Sequence, residues 1–338
     1  MASQQDKDYP ALSQFIGNAF VSGTGEGRVT VIDPARETAL AETAGAGPED
    51  LQRAIAAATI GFRVWRDTPA VKRSDILREA ARLLRERLDA IARILTLEEG
   101  KPLAEARTEV GHAAEVFEWF AEEGRRAYGR VIPSRTPDLR YLALREPVGP
   151  VAAFTPWNVP AVIPARKIAG ALAAGCSCVI KPAEETPATC LELARALRDA
   201  GLPEGVLAVV FGDPALISEG LIAADEIRHV SFTGSTTVGR QLAVLAARAA
   251  KPAIMELGGH APVIVLEDAD IEKAITLSVR QKYRNAGQVC ISPTRFLVDA
   301  AIHDRFAEQF AERARALRVG PGLYPDSEMG PLANNRRR

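Results

Sequence analysis

Cys290 closes the segment NAGQVC (285–290), a polar and small-residue stretch that ends in a thiol and runs on into Ile-Ser-Pro. A thiolate is a strong nucleophile, but a thiol in a turn becomes a catalyst only when its surroundings activate it. Read alone, Cys290 is either a nucleophile or an inert side chain. Glu256 follows the apolar run PAIM and precedes Leu-Gly-Gly. A carboxylate at the end of an apolar strand is a candidate for a desolvated general base. Lys181 and Glu184 in KPAE set a cation and a carboxylate three residues apart after another apolar run. They suit ribose hydroxyls through charge-assisted hydrogen bonds, or form a plain solvated pair. In FTGS (232–235), Gly234 and the capping residue Ser235 open a helical pattern. That start reads as an ordinary capped helix or as a pyrophosphate site at a helix N-terminus. The glycines of GSTTVGR have the spacing of a triphosphate loop, but Arg240 stands where such a loop needs lysine, and no G-x-G-x-x-G fingerprint occurs.

Other chemistry is excluded by composition. The 338 residues are 47% hydrophobic and 25% charged, with net charge −1, which is globular and favours neither nucleic acid nor an anionic membrane. Cys176, Cys178 and Cys190 lie close together, with the Cys176-Ser-Cys178 pair inside the apolar run AAGCSCVIKP. Buried strand is the expected reading, because a zinc site needs further ligands nearby and the four histidines show no ligand spacing. No metal is expected. The N-terminal decapeptide has neither a basic region nor an apolar core, and no run of eighteen apolar residues appears, so a cytoplasmic location is expected. The terminal Arg336-Arg337-Arg338 run is too short to argue for nucleic acid.

These residues need strand ends to hold them. Residues 16–47 carry short β-type runs, with GTGEG (23–27) expected as a hairpin turn and not as a phosphate loop. From Pro48 to about Tyr128 apolar residues recur at helical spacing. Residues 129–147 read as two extended pieces flanking Pro-Asp-Leu, a hairpin projecting from the body. After Gly149 strand, turn and helix alternate, which predicts right-handed βαβ units on a parallel sheet. TPWN (155–158), KPAE, FTGS and ELGG (256–259) then fall at carboxyl ends of strands, where open parallel sheets bind ligands. Residues 262–338 begin a second alternating section.

Together, TPWN, KPAE, GLPEGVLAVVFG, FTGS, MELGG and GQVC, in this order and with this separation of Glu256 and Cys290, resemble the aldehyde dehydrogenase superfamily over nearly the whole chain. The resemblance implies an α/β fold. A Rossmann-type parallel-sheet cofactor domain (1–128 and 148–258) would be joined by an oligomerisation hairpin (129–147) and an incomplete α/β catalytic domain (259–338). It also implies roles. Cys290 would attack the aldehyde carbon, Asn158 and the Cys290 backbone N–H would stabilise the oxyanion, and Glu256 would activate the water that hydrolyses the thioester. Trp157, Lys181, Glu184, Gly234, Ser235 and Leu257 match cofactor positions. Glu184 at the ribose favours NAD, with NADP possible.

Within the superfamily, LTLEEGKPLAEA, RYLALREPVGP and RNAGQVC resemble the succinate-semialdehyde dehydrogenase branch. Arg166, eight residues after Asn158, and Arg284, six before Cys290, match positions that bind the substrate's distal carboxylate there. An aldehyde acid needs such a cation at the far end of its pocket; otherwise both arginines are surface charges. Glutarate or 2-oxoglutarate semialdehyde would suit the same pair. The branch's second thiol is replaced by Ser292, so no local disulfide switch is expected. Family members continue for another quarter to a third of their length past GPLANNRRR, through an E-x-F-G-P segment and an oligomerisation strand. The expectation is therefore either an active dehydrogenase completed by further chain, or a protein that binds the dinucleotide without turnover and whose self-assembly is in doubt.

Overall fold

A computed structural model of the chain describes residues 9–337; the first eight residues of the N-terminal decapeptide and Arg338 lie outside them. The chain opens with β1 (Gln14–Ile16) and β2 (Ala19–Val21), joined by Gly17 and Asn18 at φ of 58° and 57°. Two left-handed residues in a row make the tight turn whose twist matches that of paired strands. β3 (Arg28–Asp33) and β4 (Thr38–Ala44) form a second antiparallel pair around residues 34–37. GTGEG, expected as a hairpin turn, is instead the connection from β2 to β3. Its glycines serve close approach: a Cβ on Gly23 would stand 2.3 Å from the Gly45 carbonyl oxygen, and one on Gly25 2.8 Å from it.

Four helices follow: α1 (Pro48–Arg66), α2 (Ala70–Glu86), α3 (Leu88–Glu99) and α4 (Leu103–Gly124). The continuous helical pattern of residues 73–99 breaks at Arg87, which has left the helical region of backbone space (ψ 10°). Gly100 ends α3 in the left-handed conformation at φ 99°, the usual glycine stop. β5 (Arg130–Ile132) and β6 (Tyr141–Ala143) then pair as an antiparallel hairpin, with Val131 and Leu142 exposed.

Strand and helix alternate from there: β7 (Val151–Phe154), α5 (Val162–Ala173), β8 (Cys178–Lys181), α6 (Pro187–Asp199), β9 (Leu207–Val209), α7 (Pro214–Ala223), β10 (His229–Thr233), α8 (Thr236–Arg248) and β11 (Ala253–Glu256). The sheet order is β11-β10-β7-β8-β9-β1-β2, parallel through β9 and closed by the antiparallel β1–β2 pair. β7, β8 and β9 are buried at every residue, as strands covered on both faces must be. Alternate residues serve the two faces. Val151, Ala153, Cys178 and Ile180 pack toward α2–α6, while Ala152, Phe154 and Val179 pack toward α1, α7 and α8. The three clustered cysteines are free and buried, and burial pushes Cys178 up to about 12. They fill the core, and no group of metal-type ligands occurs among the described residues.

The last section places β12 (Pro262–Val265) parallel to β13 (Arg295–Val298), with α9 (Ile271–Tyr283) and α10 (His303–Arg315) packed through Phe306 and Phe310. Among the described residues no helix is long and apolar enough to cross a membrane.

Candidate active site

Register aligns the strand ends. Phe154 lies opposite Lys181 on one side and Phe232 on the other, and Thr233 lies opposite Glu256. From β7 the chain builds β8 and β9 to one side, then returns to lay β10 and β11 on the other. The direction reverses between β7 and β10, and such a reversal opens a crevice beyond the carboxyl ends of the strands. The loops after β7 and β10 are TPWN and FTGS.

In the first loop the Thr155 N–H donates to the Lys181 carbonyl at 3.1 Å, tying it to β8. Trp157 and Asn158 are half-buried. Asn158 Nδ2 donates to the Gln288 carbonyl at 2.7 Å, while its Oδ1 is buried without a partner. One of the two amide protons is thus spent on the loop that carries Cys290. Arg166 sits exposed on α5.

Lys181 is buried and paired with Glu184, and also donates to the Pro182 carbonyl at 3.2 Å. At β10 the Phe232 ring folds under Gly234, where a Cβ would stand 2.5 Å from the ring. Ser235 caps α8 by accepting the Val238 N–H at 3.3 Å, and the first residues of α8 are exposed. Leu257 packs against Gly239 of the same helix, so β11, its turn and α8 form one body.

Glu256 departs from expectation. It is exposed, not desolvated, because β11 is the sheet's outer strand, and Ala253 and Ile254 beside it are exposed as well. Its electrostatic neighbour is Lys167 on α5, which donates to Ser231 Oγ at 2.8 Å. Burial lowers Lys167 to about 8, against the attraction of Cys178 and Glu256.

Cys290 is exposed, in the turn after the 3₁₀ segment Arg284–Gly287. Asn285, Ala286 and Gly287 all have positive φ (50°, 53° and 75°). Left-handed backbone at two non-glycine residues costs on the order of 1–2 kcal/mol each, and the surroundings hold it. Asn285 N–H donates to Glu105 Oε2 at 2.9 Å, Gln288 N–H and Nε2 donate to the Asn285 carbonyl, and Gln288 Oε1 accepts the Ala333 N–H at 3.1 Å. Gly259 lies against this turn, a Cβ there standing 3.5 Å from the Cys290 carbonyl oxygen. Arg284 is exposed, and its charge faces Glu105, whose carboxyl is raised by burial despite the backbone hydrogen bond it accepts, Lys101 and Arg284.

The fold therefore brings the segments of Asn158, Glu256–Gly259 and Cys290 to one rim. It also brings charged residues that the sequence placed in a helical pattern and, in part, in the LTLEEGKPLAEA resemblance, with no site role. Lys101 lies under this rim, buried, with its Nζ on the Asn158 carbonyl at 2.9 Å and paired with Glu109 at 2.5 Å and Glu99 at 3.8 Å. The available signal was the placement of Glu98, Glu99 and Glu109 on helix faces that are otherwise apolar. Arg336 pairs with Glu185 and Arg337 lies over the Trp157 ring, so these two arginines contact the protein's own surface.

These features define a doubly wound α/β protein with a thiol, an amide and a carboxylate at the rim beyond its strand ends. The profile of the aldehyde dehydrogenase family matches residues 20–338. The chain belongs to the aldehyde dehydrogenase family. It is 49% identical to 4-(hydroxymethyl)benzenesulfonate dehydrogenase of Comamonas testosteroni, over 97% of this chain and 69% of that protein. With succinate semialdehyde dehydrogenase of Acinetobacter baylyi the identity is 43%, over 91% of this chain and 64% of the relative. The crystal structure of succinate-semialdehyde dehydrogenase from Burkholderia pseudomallei superposes with a TM-score of 0.94 at 40% identity, covering 99% of this chain and 70% of that one. The chain thus spans about two thirds of the length of these relatives.

Proposed function

We propose that the protein oxidises an aldehyde bearing a distal anion, with succinate semialdehyde as the leading substrate, using NAD(P)+ and Cys290. The observation that carries the reading is the Asn158 Nδ2 bond to the Gln288 carbonyl, which joins the loop after β7 to the loop of the thiol. The Cys290 sulfur would attack the aldehyde carbon to form a thiohemiacetal. Its oxyanion would lie beside the remaining Asn158 amide proton and the Cys290 N–H, where preorganised donors lower the barrier most. Loss of hydride leaves a thioester, and Glu256 would take the proton from the water that cleaves it. Lys167, whose charge burial disfavours, interacts electrostatically with Glu256.

The residues present fit a dinucleotide. The exposed start of α8 offers unpaired N–H groups, Gly234 admits close approach, and Lys181 with Glu184 stands one strand away from β7. When bound, the nicotinamide would accept the hydride, with Trp157 and Leu257 expected to hold it. Glu184 near a ribose would repel a 2′-phosphate and favours NAD, although a 42% identical relative in Escherichia coli is a succinate-semialdehyde dehydrogenase named for NADP(+).

Arg166 and Arg284, both exposed, would hold the substrate's anion. A sulfonate is the second reading, favoured by the 49% identity to the benzenesulfonate enzyme against 43% to the succinate semialdehyde enzyme. The β5–β6 hairpin, with its exposed apolar residues, would mediate self-association. Assay of NAD(P)H formation with succinate semialdehyde, glutarate semialdehyde and a sulfonated benzaldehyde tests the reading. Dinucleotide binding without turnover of any aldehyde would replace it with a binding-only role.

A further inference from the structure

We infer that Lys101 and Glu109 are a positioning pair for the oxyanion donor Asn158. This rests on the catalytic reading above. The Asn158 carbonyl accepts two hydrogen bonds, from Lys101 Nζ at 2.9 Å and from Asn285 Nδ2 at 2.9 Å. Two donors on one carbonyl fix the plane of the Asn158–Val159 peptide, and with it the direction of the Asn158 side chain. The second donor belongs to the left-handed turn before Cys290. One carbonyl therefore sets the oxyanion donor against the nucleophile loop.

Glu109 of α4 completes the arrangement. One of its oxygens takes the Lys101 ammonium, and the other accepts the Ala161 N–H at 2.8 Å and the Val162 N–H at 3.4 Å. Helix α5 has no side-chain cap of its own. Glu109 supplies that cap from a neighbouring helix, with its negative charge at the positive end of α5. The pair thus grips the loop at residue 158 and again at 161–162, and the loop cannot rotate without breaking charge-assisted bonds in a buried site. Burial opposes the charge on Lys101, but Glu109 and Glu99 outweigh it and hold the ammonium above its ordinary value. The grip is also strong because both side chains are almost wholly enclosed (side-chain exposure 4% and 8%).

The test separates oxyanion alignment from thiol access. With p-nitrophenyl acetate, the Cys290 thiolate attacks the acetyl carbonyl, a C–S bond forms, the carbonyl oxygen becomes an oxyanion, and its collapse expels p-nitrophenolate to leave an acetyl thioester. Iodoacetamide alkylates the same sulfur by displacing iodide and forms no oxyanion. Lys101→Met leaves Glu109 unpaired and risks the fold, so Lys101→Met/Glu109→Gln is made beside it; neutral replacement of both members of a buried pair is commonly tolerated. The double variant is expected to release the p-nitrophenolate burst slower by about 10- to 100-fold, the scale of a misaligned donor. Its alkylation rate should stay within about twofold, as no donor is needed there. Equal changes in the two rates, or no change in either, would overturn the inference. Absence of any burst in the unmodified protein would overturn the catalytic reading and the inference with it, whereas a burst insensitive to the substitutions would overturn the inference alone.

Discussion

At the scale of single residues, the candidate site is a set of donors and charges whose roles separate under substitution. If Arg166 and Arg284 read the distal anion, Arg166→Met and Arg284→Met raise KM for succinate semialdehyde by about 10-fold or more each, the loss expected for a charged hydrogen bond. Neither should move KM for propanal, which has no second charge; steady-state kinetics on the two aldehydes checks this. Ser235→Ala removes the α8 cap and should cost about 1 kcal/mol of stability, read from urea unfolding, because the Val238 N–H loses its acceptor. Ser235 was legible because it follows a strand end, whereas Arg166 on α5 and Arg284 after α9 were legible only through the family resemblance. Glu256 was legible as a residue but not as an environment: its burial depended on a neighbour for β11, and sheet order is a property of the whole fold. Lys101 was legible as part of the LTLEEGKPLAEA resemblance but not in its contacts. Its partner Glu109 lies on the next helix and its target, the Asn158 carbonyl, is far along the chain, and no local pattern encodes such a meeting.

At the scale of elements, close approach decides more than propensity. Helix α1 crosses the turn before β9 where Gly61 meets Gly205; a Cβ on Gly61 would stand 2.3 Å from the Gly205 carbonyl carbon. Because that obstacle is backbone, Gly61→Ala should destabilise the protein by about 1–3 kcal/mol or more, measured by denaturant midpoint, despite the better helix propensity of alanine. The helical and strand periods after Gly149 translated directly into β7–β11 and their helices, since each strand is short, apolar and followed by turn residues. The GTGEG stretch did not translate. Glycine signals both a turn and a close contact, and only the packing of Gly23 against Gly45 separates them. The break at Arg87 was equally hidden, as the apolar stripe continues across it.

At the scale of the whole molecule, buried carboxyls set the response to pH. Burial raises Glu98 to about 7 and Glu99 to about 8, from 4.5. The folded protein therefore keeps protons that the unfolded chain releases, and the stability they contribute is full below pH 4.5 and lost as pH rises to about 8. Glu99→Gln, which cannot ionise, should flatten the upper part of that decline; urea midpoints from pH 5 to 9 for both proteins check it, on the scale set by such buried acids. Self-association is the second molecular property. Val131 and Leu142 on the β5–β6 hairpin are 76% and 63% exposed, and Val131→Asp with Leu142→Asp should shift sedimentation toward the monomer if the hairpin is the contact. Parallel pairing followed from alternation of strand and helix, whereas the reversal between β7 and β10 belongs to the strand order of the folded sheet. The way α9, α10 and the β12–β13 pair sit beside the rim did not.

The central claim is that one thiol, Cys290, reacts with an aldehyde beside the Asn158 amide. Intact-mass analysis after incubation with succinate semialdehyde and NAD(P)+, with NAD(P)H followed by absorbance, tests it most directly against Cys290→Ala. The account predicts NAD(P)H formation in the unmodified protein, an acyl adduct trapped on Cys290 when Glu256 is replaced by Gln, and neither in the Cys290→Ala protein. NAD(P)H formation that survives Cys290→Ala, or an acyl adduct on Cys176, Cys178 or Cys190 instead, would contradict it.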